Sequence, residues 1–368
     1  MFKKISALVL CLLIMLSVVG CGETPGSSTP SDSSSESSQV EEIHYPINLL
    51  TGQEGLSEEA VGKRPVAIMI NNIKAALPQY GIAQADIIFE TLVEGGITRM
   101  MAIYGDYTKI PNVCTIRSAR FYYPLVASSF DAIYVHWGEE TKYATQTIAE
   151  IGIDRLSGAS NPYGLFDRDQ SRRQAGYAYE HTGYFKGPEV PDALAKLKYR
   201  TDLKEGYDDA FFSFAETDVT PTSGQTHKVQ IDFSKAYYST FTYDEATGTY
   251  LKQHCGKPHM DGKAGTQLGF TNLLILETEI DNLTNVLMDV DVVGSGEGWW
   301  VSNGAYQQIR WSKATKTSEF TFTDLSGNEL TVNTGKSYIA MTKPNTTTIT
   351  ELAEETLPAD PLPETPAK

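Results

Sequence analysis

The run Asp86-Ile87-Ile88-Phe89-Glu90-Thr91-Leu92-Val93-Glu94 passes through Gly95-Gly96 into Ile97-Thr98-Arg99-Met100-Met101-Ala102-Ile103-Tyr104. Two apolar runs joined by a glycine pair predict a β-hairpin. Glu90 and Glu94 are an even number of residues apart, so a regular strand sends both carboxylates to one face, with Arg99 just past the turn. Further on, Ile116-Arg117-Ser118-Ala119-Arg120 puts Ser118 where an N-cap stands, ahead of a helix expected over 119–129 that Pro124 would kink or shorten. Arg117 and Arg120 would then flank a helix N-terminus, an end whose free N–H groups attract anions and which guanidinium forks reinforce.

The chain has 368 residues, which is long for one ordinary domain and fits two folded units with tails. Hydrophobic residues make up 41%, enough for a globular interior, and the formal net charge of -16 repels nucleic acid and anionic headgroups. Met1-Phe2-Lys3-Lys4 is a basic start and Ile5 to Leu16 an apolar core too short to span a bilayer comfortably, the pattern of a secretory signal over 1–20. Val18-Val19-Gly20-Cys21 resembles a bacterial lipobox, so Cys21 is the expected lipidation site and mature N-terminus. Losing Lys3 and Lys4 would leave a mature charge of -18. Cys11 falls in the signal, leaving Cys114 and Cys255 as a single candidate disulfide or, more simply, two unpaired small hydrophobes.

Residues 21–42 are Ser, Thr, Pro, Gly and Glu with almost nothing apolar, the composition of a flexible tether, and residues 346–368 read as a disordered tail. Over 43–215, short apolar runs alternate with helical patterns: strands near 66–70, 113–116 and 132–137, helices near 142–151 and 191–199. That alternation predicts an α/β or α+β domain with a central mixed sheet. Over 226–345 helices vanish, and β-like runs at 229–233, 237–243, 249–252, 272–279, 286–293, 298–304 and 320–323 predict a mainly antiparallel β domain. Gly294 to Gly298 is read as a β-turn, since it precedes a Trp-Trp run and no helix.

No nucleophile elbow, phosphate loop, dinucleotide fingerprint or paired-cysteine metal motif is present. Glu90, Glu94, Arg99, Arg117, Arg120 and His136 would converge if the hairpin and neighbouring strand ends share one sheet edge. That set suits general acid-base hydrolysis, with Glu90, Glu94 and His136 as catalytic candidates, and suits equally a ligand groove or a structural ion-pair network. Asn161 to Asp169, Arg172-Arg173 and Tyr179-Glu180-His181-Thr182 form a long aromatic, charged stretch fit for a sugar or peptide, or for covering the sheet. In His254-Cys255-Gly256-Lys257-Pro258-His259-Met260-Asp261, the histidines lack an evident fourth metal partner, so a polar turn fixed by His259 and Asp261 is expected and no metal or cofactor.

Arg64 to Asn72, Ala85 to Glu90, Val93 to Arg99, Arg117-Ser118-Ala119-Arg120 and Phe166-Asp167-Arg168 resemble the YerB-like lipoproteins of Gram-positive bacteria. So do Gly256 to Asp261, Gly294 to Asn303, Gln308 to Lys313 and Asn333 to Lys336. The resemblance covers Arg64 to Lys343 and implies a secreted, lipid-anchored, two-domain protein without assigned catalytic residues. The expected role is binding or scaffolding at the outer face of the cytoplasmic membrane, toward peptidoglycan or an envelope protein. The alternatives are a cell-wall glycan or peptide hydrolase using Glu94 or Glu90 with Arg99 and Arg117, and a small-ligand receptor. Candidate ligand-binding residues are Arg99, Arg117, Ser118, Arg120, Arg168, His181, His259 and Asp261.

Overall fold

Ile87–Leu92 and Thr98–Tyr104 pair antiparallel, with Leu92 opposite Thr98 and Ile87 opposite Ile103, in a computed structural model that describes residues 45–207 and 210–351. The signal segment, Cys21, the tether and the chain beyond Glu351 lie outside the described residues. Between the two strands Glu94–Gly96 forms one 3-10 turn, in which Gly95 and Gly96 take φ of 70° and 69°. A side chain would be strained there, which is why the turn carries glycines.

This hairpin lies inside one sheet of 16 strands. On one side Thr98–Tyr104 pairs with Val66–Asn71, which runs parallel to Ile133–His136, itself parallel to Arg155–Ser157. On the other side Ile87–Leu92 runs parallel to Ser337–Thr342, and that strand runs parallel to Asn272–Glu277. Beyond it the order Gly294–Ser302, Ala305–Lys313, Gly224–Asp232, Tyr238–Asp244, Thr249–His254 is antiparallel throughout. The N-terminal part is therefore mixed and the C-terminal part mainly antiparallel. Ser337–Thr342 belongs by sequence to the second part yet completes the sheet of the first, and all six of its residues are buried. Buried apolar side chains from Leu50 to Met341 form one continuous core.

Helices are few and short: Tyr122–Ser128, Tyr143–Ile151, Gln170–Gln174 and Val190–Leu197. Among the described residues no helix is long and apolar enough to cross a membrane. The helix expected over 119–129 begins three residues late. Phe121 precedes it with no side-chain cap, Pro124 falls in its first turn where a missing N–H costs nothing, and Ser118 instead donates its hydroxyl to the Trp137 carbonyl at 3.1 Å. Arg117 and Arg120 thus lie on the approach to the helix. Two further expectations change. Gly294 to Gly298 is strand, because a Cβ at Gly296 or Gly298 would stand 2.5 Å from the Glu277 carbonyl or 2.3 Å from that of Ile275. The neighbouring backbone comes too close for any side chain, so these glycines mark packing rather than a turn. Thr347–Glu351, the first residues of the expected tail, forms a strand on Gly224–Asp232.

Candidate functional site

Glu90 and Glu94 part company at the end of their strand. Glu90 is fully buried: Asn72 Nδ2 and Thr98 Oγ1 donate to its Oε1 at 2.8 and 2.7 Å, and Tyr338 Oη donates to Oε2 at 2.8 Å. The ammonium of Lys252, also fully buried, sits 3.1 Å from Oε2 and donates to Ser239 Oγ at 2.7 Å. Burial is the strongest influence and works against the carboxylate, but the Lys252 and His254 charges and the hydrogen bonds from Thr98 and Tyr338 together outweigh it and hold Glu90 below the ordinary carboxyl range. This interior pair joins the hairpin to strands of the C-terminal part.

Glu94 lies beyond the strand, in the 3-10 turn, and faces a different neighbourhood. Arg120 Nε donates to its Oε2 at 2.8 Å and Arg120 Nη2 reaches Oε1, which also accepts from Arg99 Nη2 at 3.0 Å. Arg99 Nη1 donates to the Ser118 carbonyl at 2.6 Å. Arg99 follows Thr98 in its strand, and successive side chains take opposite faces, so Thr98 meets Glu90 while Arg99 meets Glu94 across the sheet. Burial opposes charge on Glu94 too, but the hydrogen bond from Arg120 and the Arg99 charge keep its pKa low. Burial and the nearby Arg120 lower Arg99 to about 10, which leaves it protonated at neutral pH. A general acid needs a carboxyl that holds its proton near neutrality. Glu90 and Glu94 are both arranged the other way.

The other two candidate arginines, Arg117 and Arg168, lie around the 3-10 turn Tyr179–His181. The guanidinium of Arg168 is sandwiched between Trp137, 4.0 Å to the ring centre, and Tyr179, 4.1 Å, and Arg168 Nη1 donates to the Tyr179 carbonyl at 2.9 Å. Arg117 is partly exposed and has Glu180 at 3.9 Å. The Ile116 amide donates to Gly183, the residue paired with Arg168, and the Trp137 amide to Arg117. One surface thus carries Arg117, Trp137, Arg168 and Tyr179. His181 is buried beneath it, its Nδ1 3.1 Å from Asn71 Nδ2. The turn is held from inside by fully buried Arg172, which donates to the carbonyls of His181, Pro78 and Ala76 at 2.8, 2.6 and 2.6 Å. Arg168 also lines a cleft of about 530 Å³ with Tyr80, Asp169, Tyr184 and Lys263.

His136 does not join this group. It is buried, with Nδ1 2.8 Å from the Gly138 carbonyl and Nε2 3.6 Å from Glu139, and burial lowers its pKa. His259 Nε2 meets Gln79 Oε1 at 3.0 Å, and Asp261 accepts from the amides of Ala83, Lys263 and Ala264 at 2.9–3.0 Å. These two residues tie the 255–264 loop to residues 79–83. Cys114 and Cys255 are free, and burial pushes the Cys114 thiol up to about 12. Among the described residues no group of three or more His, Cys, Asp or Glu side chains is placed to hold a metal. The sequence reading leaves Lys252 without a role and takes His254 only as part of a polar turn, whereas both belong to the buried Glu90 site. Their signal was alternation: in Thr249–His254 the inward positions are Tyr250, Lys252 and His254, two of them polar where an apolar residue would ordinarily stand.

Residues 50–200 match the N-terminal domain, and residues 229–339 the C-terminal domain, of the family described as protein of unknown function DUF3048. The chain belongs to this family. It is 26% identical over 281 residues to the presumed lipoprotein YerB of Bacillus subtilis (strain 168), an alignment covering 74% of this chain and 79% of the relative. The crystal structure of YerB from Bacillus subtilis has the same fold, with a TM-score of 0.72 at 23% identity over 83% of this chain and all of that one. The DUF3048 domain boundaries fall on either side of 201–228, and the sheet runs unbroken through both domains.

Proposed function

We propose that the protein is a lipid-anchored envelope component, held through Cys21 at the outer face of the cytoplasmic membrane, that binds an anionic wall polymer such as peptidoglycan. The anchor reading draws support from Val18-Val19-Gly20-Cys21 and from the lipoprotein naming of the Bacillus relative. The observation that carries the binding reading is the Arg117–Trp137–Arg168–Tyr179 surface. On a chain of net charge -16 it concentrates guanidinium groups and flat aromatic faces at one place. Arg168 is pre-ordered between two rings, so little side-chain entropy is lost when an anionic or carbohydrate group meets it. Binding is favoured over hydrolysis because Glu90 and Glu94 are held as ion-paired carboxylates.

The test is cosedimentation of the full chain with purified cell wall. Arg117→Ala together with Arg168→Ala, compared with the wild type at a temperature where circular dichroism shows both folded, is expected to lower the bound fraction at least tenfold. Equal pelleting of this double variant and the wild type would remove the assignment.

A further inference from the structure

A second cavity, sharing no residue with the arginine surface, lies where the described chain begins. It measures about 320 Å³ and is walled mainly by Leu49, Leu50, Leu56, Phe130, Leu203 and Phe211. Phe130 and Phe211 stack at 4.1 Å to form one side, and the Phe211 amide donates to the Leu49 carbonyl, tying Phe211 to the first residues of the fold. Ile47 and Val61 also line it and are 54% and 49% exposed, so the apolar surface continues out through the mouth to solvent. An apolar concavity open to solvent is the ordinary form of a small-molecule site. Polar groups here are few: the one carboxylate of the lining, Glu319, lies within electrostatic reach of Tyr207 and Lys313, and the cation is Lys63, whose partner Asp202 is itself largely exposed. A surface pair of this kind is weak and readily exchanged for another carboxylate.

We propose that this cavity binds the aliphatic chain of a single-chain anionic amphiphile of the fatty-acid type, with Lys63 meeting the head group. The volume lies at the small end of the roughly 300–1,000 Å³ typical of small-molecule sites. That admits one chain and leaves no room for the paired chains of a bilayer lipid. The wall supplies no ring of hydrogen-bonding groups that a sugar or peptide would need, whereas an alkyl chain requires none. Lys63 at the rim supplies the complementary charge. This inference goes beyond the wall-binding reading and stands or falls separately from it.

The experiment titrates the full chain, freed of co-purified lipid, with saturated fatty acids of increasing length below their micelle concentrations, read by displacement of a fluorescent fatty acid. Saturable one-site binding is expected, tightening about fourfold per added methylene until the cavity is filled and then levelling off. Val61→Trp, which places an indole at the mouth, should weaken binding at least tenfold without moving the thermal midpoint. Ile47→Trp, at another exposed mouth position, gives the same reading should Val61→Trp fold poorly. Lys63→Met should weaken dodecanoate several-fold and leave dodecanol unchanged. Absence of saturable binding, affinity independent of chain length, or indifference to both tryptophan variants would overturn the proposal, and equal loss of dodecanoate and dodecanol in Lys63→Met would remove the head-group assignment.

Discussion

Glu90 and Glu94 stand four residues apart in one hairpin and serve opposite ends. Glu90, sealed from water with Lys252, ties the two family domains together through Tyr338, Ser239 and Asn72. Glu94, one turn beyond, is a partly exposed clamp that holds buried Arg99 and partly exposed Arg120. Depth, rather than residue type, decides what an acid-base pair does. An interior pair is costly to break because the survivor stays buried, whereas a surface pair can be altered at small cost and left to meet ligands.

That contrast is sharpest in the interior. Glu90→Gln leaves the Lys252 ammonium uncompensated and should destabilise by about 3–5 kcal/mol, as should Lys252→Met, measured by denaturant unfolding. The double variant should recover much of the loss. If each single change cost no more than a surface substitution, the sealed pair would not be the joint described above.

Acid should reveal the same interior. His254, buried beside Lys252, has its pKa lowered to about 4, first by burial and then by that ammonium. A base whose folded pKa lies below its unfolded value of about 6.5 contributes its full stability above pH 6.5 and loses it as pH falls toward 4. About 3 kcal/mol should disappear across that window, and the fall should flatten in His254→Phe. Stability constant from pH 7 to 4.5 would contradict the placement of this imidazole.

The surface cluster responds less. Glu94→Gln weakens two guanidinium contacts, and because the site is partly open the expected cost is about 1–2 kcal/mol by thermal unfolding. Arg117→Ala should change stability by no more than about 0.5 kcal/mol, while reducing retention on cell wall. A larger stability change would make Arg117 a structural residue like Arg172.

How far the sequence carries depends on the range of each interaction. The Asp86–Tyr104 hairpin, the strand at 66–70 and the helices near 142–151 and 191–199 are local, and their apolar spacing and turn residues show them. The partner of a strand is not written in its own spacing. Ser337–Thr342 is buried on both faces and therefore lacks alternation, and nothing in Ser-Tyr-Ile-Ala-Met-Thr names Ile87–Leu92 as its neighbour. The even spacing of Glu90 and Glu94 misleads for a related reason: the strand ends at Leu92, and the 3-10 turn resets the direction of Glu94. The Arg168 surface was half legible. Aromatic and arginine content marked the 161–182 stretch, but Trp137 comes to it from a separate strand end.

One incubation separates a structural role for the hairpin acids from a catalytic one and tests the proposed binding by the arginine surface. Purified peptidoglycan is mixed with the full chain or with Glu94→Gln, and both the pellet and the soluble fragments are analysed. The expected result is pelleting by both proteins and no released fragments from either. Fragments released by the wild type and absent with Glu94→Gln would contradict a purely structural Glu94 and make it a catalytic group.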